Sequence, residues 1–289
     1  MSKLRLAKIS KAVEMACLLE VSSNKPGNVT PTCAFEDLDY LDFLHCAVTL
    51  GKVFRESGYR SVGDLILQSI KGCLEASSSN ANLGIVLLFA PMALAYYKKG
   101  RLDRDSVKQV LVRLTKSDAK KAYQAIRLCN PSGLNKVKSQ SVNKDPDITL
   151  LRAMKMSANR DWIAYEYANS FEIVFEKGLP ELELNIEVGL IFRDAIVHTY
   201  LKLLYLYPDS LVSRKTSIEE AHQISNMAGV VLDNGGVTTD AGRKKIMELD
   251  SHLRSNGNTL NPGSTADLTA SSLFVFFMKH GYNELSKKG

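Results

Sequence analysis

Three short turns in the chain carry residue types that hold phosphate. They are Ser22-Ser23-Asn24-Lys25-Pro26-Gly27-Asn28, Ser77-Ser78-Ser79-Asn80-Ala81-Asn82-Leu83-Gly84 and Asn261-Pro262-Gly263-Ser264-Thr265-Ala266-Asp267. Each adjoins an apolar stretch with helical spacing. The second and third lead into their helices, where backbone N–H groups lack an intrahelical partner and the helix dipole favours an anion. Lys25 adds a point charge to the first. Simple capping explains any one such turn, and Ser264 followed by Asp267 has the form of a cap with an acidic residue at N3. Three of them in one chain point to a polyphosphate site. The candidate contacts are Lys25, Gly27, Asn28, Asn80, Asn82, Gly84, Asn261, Gly263, Ser264 and Thr265, with Arg214 and Lys215 as further cations.

Carboxylates stand close to these turns in sequence. Glu20 closes the helix before the first turn, and Asp267 opens the last helix. Arg160-Asp161 begins a helix whose next turn carries Tyr165 and Glu166. Asp209 follows Pro208 and precedes Arg214-Lys215, and Asp250 follows the Lys244-Lys245 pair. Taken singly, each suits a helix cap or a neighbouring charge. Taken with the basic residues, they read as a Mg²⁺–nucleotide site, because magnesium uses few protein carboxylates and keeps waters or phosphate oxygens as its other ligands. Asp209, Asp250 and Asp267 are the candidate metal ligands.

The elements that must position these groups are helices. Leu6, Ile9, Val13, Ala16, Cys17 and Glu20 recur every three or four residues and predict a helix over Leu4–Val21. Similar patterns predict helices at Leu38–Glu56, Val62–Glu75, Leu83–Lys99, Asp105–Leu114 and Ala119–Leu128. Others follow at Ile148–Ala158, Asp161–Glu176, Leu184–Tyr207, Ile218–Leu232, Asp240–Arg254 and Ala266–His280. No stretch alternates with period two, and no internal repeat is visible. The reading is an all-α single domain spanning residues 1–289, with about twelve helices around a buried central helix, Leu83–Tyr97. Residues 129–147, rich in Asn, Ser and Lys, form the candidate mobile lid.

Composition agrees. Of 289 residues, 45% are hydrophobic and 24% charged, which excludes wholesale disorder and a fibrous fold. The net charge is +6. Lys98–Arg127 holds ten Lys/Arg against three Asp, with Tyr123 as its one interior aromatic, so it reads as a solvated charged face and not as a nucleic-acid groove. The five cysteines include no CxxC pair, and no signal-peptide pattern precedes them, so a reduced cytoplasm is expected. The five histidines are too scattered for local zinc spacing, and His198, in an apolar run, reads as a satisfied core residue. The longest apolar run is too short to span a bilayer and contains Pro91, so no membrane partner is expected. The last helix is apolar nearly all round, which implies deep burial, with a homodimer interface as the second reading.

The motifs resemble those of the triphosphoribosyl-dephospho-CoA synthase family, in its archaeal-type branch. The resemblance rests on Ala16–Ser22 running into Lys25-Pro26-Gly27-Asn28 and on Ser79–Gly84. It also rests on Arg160-Asp161 with Tyr167, on Pro208-Asp209-Ser210-Leu211 leading to Arg214-Lys215, and on Asn261–Leu268, so it runs from the first helix to the last. It implies an all-helical, Mg²⁺-dependent transferase. ATP would lose adenine, and its triphosphoribosyl unit would be joined through C1′ to a ribose hydroxyl of dephospho-CoA. Breaking an N-glycosidic bond builds positive charge on the ribose, as in glycoside hydrolysis. Glu20, Asp161 and Asp267 are the carboxylates assigned to that charge and to the acceptor's proton, while Asn80 and Asn82 suit reading the base. The chain departs from the family where citrate-lyase-associated members carry a Thr-His-Lys-Gly-like sequence, having Asn80-Ala81-Asn82-Leu83-Gly84 instead. Neutral amides replace a cationic imidazole and ammonium, which leaves open a related acceptor, such as a pterin-type cofactor precursor, another donor, or a non-catalytic nucleotide-binding protein.

Overall fold

Apolar residues spaced every three or four positions need a partner surface, and in this chain helices supply it for one another. The computed structural model describes residues 2–36, 38–58, 60–77, 82–130 and 144–282. Among these, the regular elements are fourteen α-helices, one π-helical turn and one 3₁₀ turn. Extended pairing is confined to two isolated bridges, Thr30 with Cys33 and Phe35 with Leu38. The all-α reading holds. None of the helices is long and apolar enough to cross a membrane.

The chain divides into two compact units, Met1–Cys17 with Leu41–Glu172, and Leu18–Tyr40 with Ile173–Gly289. The first unit contains most of α1 (Ser2–Val21) and α2 (Tyr40–Glu56), then α3 (Val62–Ala76), α4 (Leu83–Lys99), α5 (Arg104–Leu111), α6 (Lys116–Cys129), α7 (Leu150–Lys155) and α8 (Trp162–Ala168). Its centre is α4, where Ile85 to Ala95 are all buried. Pro91 lies inside this helix and has no N–H to give the carbonyl of Leu87, four residues back. The buried Tyr167 hydroxyl donates to that carbonyl at 2.7 Å. A side chain from α8 thus repairs the gap that Pro91 leaves in the α4 ladder.

The α3–α6 contact is built on Asp118. Its carboxylate accepts from the backbone N–H of Gly63 at 2.8 Å and from the Thr115 N–H and hydroxyl at 2.8 and 2.7 Å. Gly63 has no Cβ for a physical reason: one placed there would sit 2.6 Å from the Asp118 Cα. Asp118 therefore closes the capping box that Thr115 opens at the start of α6 and ties down the start of α3.

The second unit contains the last turn of α1, the π-helical turn Val174–Gly178, α9 (Leu179–Glu187), α10 (Phe192–Leu206), α11 (Ser210–Lys215), α12 (Ile218–Asp233), the 3₁₀ turn Gly236–Thr238, α13 (Asp240–Arg254) and α14 (Gly263–His280). Its centre is α14, buried from Ser264 to Met278 apart from Asp267. The expected burial of the last helix is met, so each unit has its own central helix where one was expected.

Two expected helices are divided. Asp161–Glu176 ends after Ala168, because Ser170 and Phe171 take left-handed conformations (φ 56° and 60°). Arg104 holds that reversal by donating to the carbonyls of Asn169 and Ser170 at 2.7 and 3.2 Å. Leu184–Tyr207 is interrupted at Gly189, whose φ of 97° is closed to most side chains, so α9 and α10 are separate. The helix α11 was not expected at all. His198 is only partly buried and its Nδ1 has no partner, so it is not the satisfied core residue anticipated. Of the candidate lid, residues 131–143 lie outside the described residues. Its described end is tied to α6 by the Arg127–Asp145 and Lys116–Asp147 ion pairs.

Tyr167→Phe leaves the Leu87 carbonyl buried without a donor and should lower stability by about 1–3 kcal/mol, read by denaturant titration. Burial pushes the Asp118 carboxyl up, but the bonds from Gly63 and Thr115 outweigh it and hold the group below the ordinary carboxylate range. The stability it contributes is full above the unfolded value of about 4 and is lost as pH falls through the lowered folded value. Asp118→Asn should therefore flatten the fall of Tm with pH below about pH 4. An unchanged acid limb would remove Asp118 from that role.

Candidate functional site

Most of the sequence-nominated residues converge in the second unit. The first turn leaves α1 at Val21 and bends at Gly27, whose φ of +73° favours glycine and where a Cβ would also press to 2.6 Å from Leu253. Its backbone is clamped from three sides. The Gly27 N–H donates to Asp250 Oδ1 at 2.7 Å, and Asn261 Nδ2 donates to the Gly27 carbonyl at 2.7 Å. The Tyr200 hydroxyl donates to the Pro26 carbonyl at 2.9 Å and accepts from Asn28 Nδ2 at 2.8 Å. Burial, reinforced by the nearby Asp209 carboxylate, pushes the Tyr200 phenol up, so it stays protonated as a donor. Arg254 Nε lies 2.9 Å from both Asp250 oxygens, and its guanidinium sits 5.2 Å above the Phe35 ring. Sequence reasoning missed Tyr200 and Arg254, because an apolar run hides the first and an ordinary charged helix the second.

Lys25 and Glu20 are both buried and form an ion pair at 3.0 Å. The same ammonium donates to the carbonyls of Glu20 and of Ser23. A lysine has three N–H donors, and here all three are engaged within the turn. Lys25 thus braces the loop and has no donor left for a phosphate in this arrangement.

The third turn was expected to offer its N–H groups to an anion, and a protein carboxylate takes that place. Asp209, fully buried, accepts from the N–H and hydroxyl of Thr265 through Oδ2, both at 2.8 Å. Its Oδ1 accepts from the N–H groups of Leu211 and Val212 at 2.8 and 3.0 Å. One side chain therefore caps α11 and occupies the start of α14. Ser264 accepts from the Ser210 N–H and meets its hydroxyl, each at 3.0 Å. Since α14 begins at Gly263 with no side-chain cap, Ser264 is its second residue and not the cap expected. Gly263 is close-packed on Leu211, 2.6 Å from where its Cβ would lie. On α11, Lys215 donates to the Asn258 carbonyl at 2.7 Å, with Arg214 beside it in the chain. Asp267 lies one turn into α14 and is partly exposed.

These bonds correct the metal assignment. No group of three or more His, Cys, Asp and Glu is arranged around a metal position among the described residues. Four protein donors fill the fully buried Asp209 carboxylate, and a cation would have to displace them, so Asp209 does not fit as its ligand. Asp250 is held by the Gly27 N–H and Arg254, with its side chain 30% exposed.

Three nominated residues belong to the first unit, and Asn80 lies outside the described residues. Asp161 caps α8, accepting from the Ala164 N–H at 3.0 Å. Gly84 is in the first turn of α4. Asn82 precedes that helix in a left-handed conformation (φ 72°) and makes no capping bond. It is 7% exposed, and among the described residues neither Oδ1 nor Nδ2 has a partner. Leaving a buried amide unpaired costs about 1–3 kcal/mol for each lost partner, so this amide is open to an ordered water or a ligand.

The Glu20–Lys25 pair makes its own prediction. Glu20→Gln leaves a buried ammonium without its counter-charge and should destabilise the protein by about 3–5 kcal/mol, measured by urea unfolding. A loss under about 1 kcal/mol, as at an exposed pair, would contradict the bracing role.

With the geometry in place, comparison with known proteins is informative. The sequence profile described as ATP:dephospho-CoA triphosphoribosyl transferase (CitG) matches residues 6–286. Proteins named 2-(5''-triphosphoribosyl)-3'-dephosphocoenzyme-A synthase are similar over part of their length. One from Pseudomonas savastanoi pv. phaseolicola is 29% identical over 117 residues, 40% of each chain. One from Pseudomonas fluorescens strain Pf-5 is 32% identical over 118 residues, 40% of this chain and 39% of the other. The matched segment thus spans about two fifths of these curated relatives. A crystal structure from Archaeoglobus fulgidus, described as a triphosphoribosyl-dephospho-CoA synthase, superposes with a TM-score of 0.64 at 28% identity, covering 83% of this chain and all of that one. By the reach of the profile match, this chain belongs to the ATP:dephospho-CoA triphosphoribosyl transferase family.

Proposed function

We propose that the protein transfers the triphosphoribosyl unit of ATP to a ribose hydroxyl of dephospho-CoA or a related acceptor, releasing adenine. The bond from C1′ to the adenine nitrogen breaks, the bond from C1′ to the acceptor oxygen forms, and the hydroxyl proton ends on adenine. Family membership supports the reaction class. The observation that carries the reading is the unpaired amide of Asn82. Asparagine presents a donor and an acceptor side by side, which match adenine N7 and the N6 amino group. Donation to N7 draws electron density from the ring and makes adenine a better leaving group.

The remaining roles are assigned on the same reading. Asp267, at the partly exposed start of α14, is the carboxylate we place near the positive charge that develops on the ribose, where a preorganised charge contributes most. Glu20 and Asp161 are kept as candidates for the acceptor's proton, although ion pairing and capping occupy them here. In the second unit, Gly27, Asn28, Asn261, Gly263, Ser264 and Thr265 shape the loop wall and Arg214 and Lys215 are retained as candidate phosphate contacts; in the first unit Gly84 is retained as a separate candidate. Magnesium is assigned to the donor's phosphates with Asp267 as its protein ligand, where it would offset their negative charge. A cytoplasmic location is proposed on the five cysteines, all free thiols.

The test is adenine release from ATP and Mg²⁺ with dephospho-CoA, followed by chromatography. No adenine above the acceptor-free control would reject this donor and acceptor pair. Asn82→Gly keeps the left-handed backbone accessible while deleting the amide, so Tm should hold while adenine release falls by about 10²-fold. If Asn82→Gly turned over normally, the base-reading role would be withdrawn. Asp267→Asn should likewise reduce turnover by about 10²-fold with an unchanged helical CD spectrum.

A further inference from the structure

The basic segment Lys98–Arg127 does more than solvate one face of the first unit. The end of α4, the end of α5 and the starts of α3 and α6 enclose a groove of about 170 Å³. Arg60, Lys98, Lys99 and Arg113 all line it. None of the four makes an ion pair with a carboxylate among the described residues. The nearest acidic groups are engaged elsewhere. Asp118, the one carboxylate of the lining, holds the backbone and side-chain donors of Gly63 and Thr115. Asp64, in the first turn of α3 and three residues past the N-cap Ser61 that follows Arg60, feels the Arg60 charge but is bonded to Lys121 at 2.7 Å. The floor is apolar, formed by Val62, Leu94, Val110 and Leu114.

From this arrangement we infer that the groove is a binding site for a polyphosphate group, two or three adjacent phosphates with their charge spread along a short chain. Four like charges around one concavity repel one another, and an anion seated among them converts that repulsion into attraction. Size selects the kind of ligand. Pockets that enclose whole drug-sized molecules run to roughly 300–1,000 Å³, so this groove takes the phosphates and leaves any attached nucleoside outside. Arg60 and Arg113 offer planar forks for phosphate oxygens, while Lys98 and Lys99 act as point charges. The polyphosphate has three sources: a nucleoside triphosphate, the diphosphate of a coenzyme A precursor, and free pyrophosphate or tripolyphosphate. The inference stands on charge and shape alone and does not depend on the proposed transfer.

The experiment is calorimetric titration of the full-length protein with inorganic tripolyphosphate in metal-free buffer, then with ATP, dephospho-CoA and pyrophosphate. Lys99→Glu/Arg113→Glu should weaken tripolyphosphate binding by at least about tenfold, while Lys244→Glu/Lys245→Glu, the same charge change on α13, should leave it unchanged. Competition by ATP, dephospho-CoA or pyrophosphate then identifies the source. Equal loss in both double variants would mean that overall charge, not the groove, attracts the anion. That result, or no binding to the wild type at millimolar tripolyphosphate, overturns the inference. Because exposed side chains are exchanged, matching Tm values exclude misfolding as the cause. Loss of adenine release with groove binding intact would count against the transfer reading only.

Discussion

A carboxylate removed from water must be met by donors, and much of the second unit follows from how that demand is satisfied at Asp209. The group is fully buried, with two backbone N–H groups of α11 on one oxygen and the N–H and hydroxyl of Thr265 on the other. It thereby unites two helix starts that each carry partial positive charge. The negative charge that a helix N-terminus attracts is supplied by the protein itself. This is why the start of α14, so suggestive of a phosphate seat in sequence, is already filled.

The same rule separates structural polar groups from candidates for function. Leu87 would lack a donor because of Pro91, and Tyr167 supplies one. Lys25 is buried, and Glu20 with two carbonyls surrounds it. Gly27 is clamped by Asp250 and Asn261. Against this background, Asn82 is buried with both polar atoms of its amide unpaired among the described residues, at the start of the most apolar helix of its unit. An unmet hydrogen-bonding group held in a left-handed backbone marks a place where stability is given up for another end. The base-reading role proposed for its amide would account for that cost.

Sequence periodicity captured the helices well because helix formation is local. Leu83–Lys99 and Asp240–Arg254 have the expected bounds, and the deep burial of α4 and α14 follows from apolar residues on all sides. The breaks at Ser170–Phe171 and Gly189 were harder to read, since apolar periodicity continues across both. The gathering of Gly27, Asn28, Asn261, Ser264 and the carboxylates was legible only as a list of turns. Nothing local to Asp209 indicates that it would bond Thr265, 56 residues away, or that Asp250 would hold Gly27, 223 residues away.

The amino-acid sequence alone determined an all-helical protein, its two most buried helices and the turns that carry its polar motifs. Those properties depend on spacing within a few residues and on side-chain polarity. Tertiary structure decided which polar groups are consumed in holding the fold and which stay available. It filled Lys25 and Asp209, paired Asp250 with Gly27 and Arg254, left the amide of Asn82 unpaired among the described residues, and drew Arg60 together with Lys98, Lys99 and Arg113 around one groove. A donor or acceptor is occupied or open according to what the fold brings within about 3 Å of it, and chain order does not encode that distance.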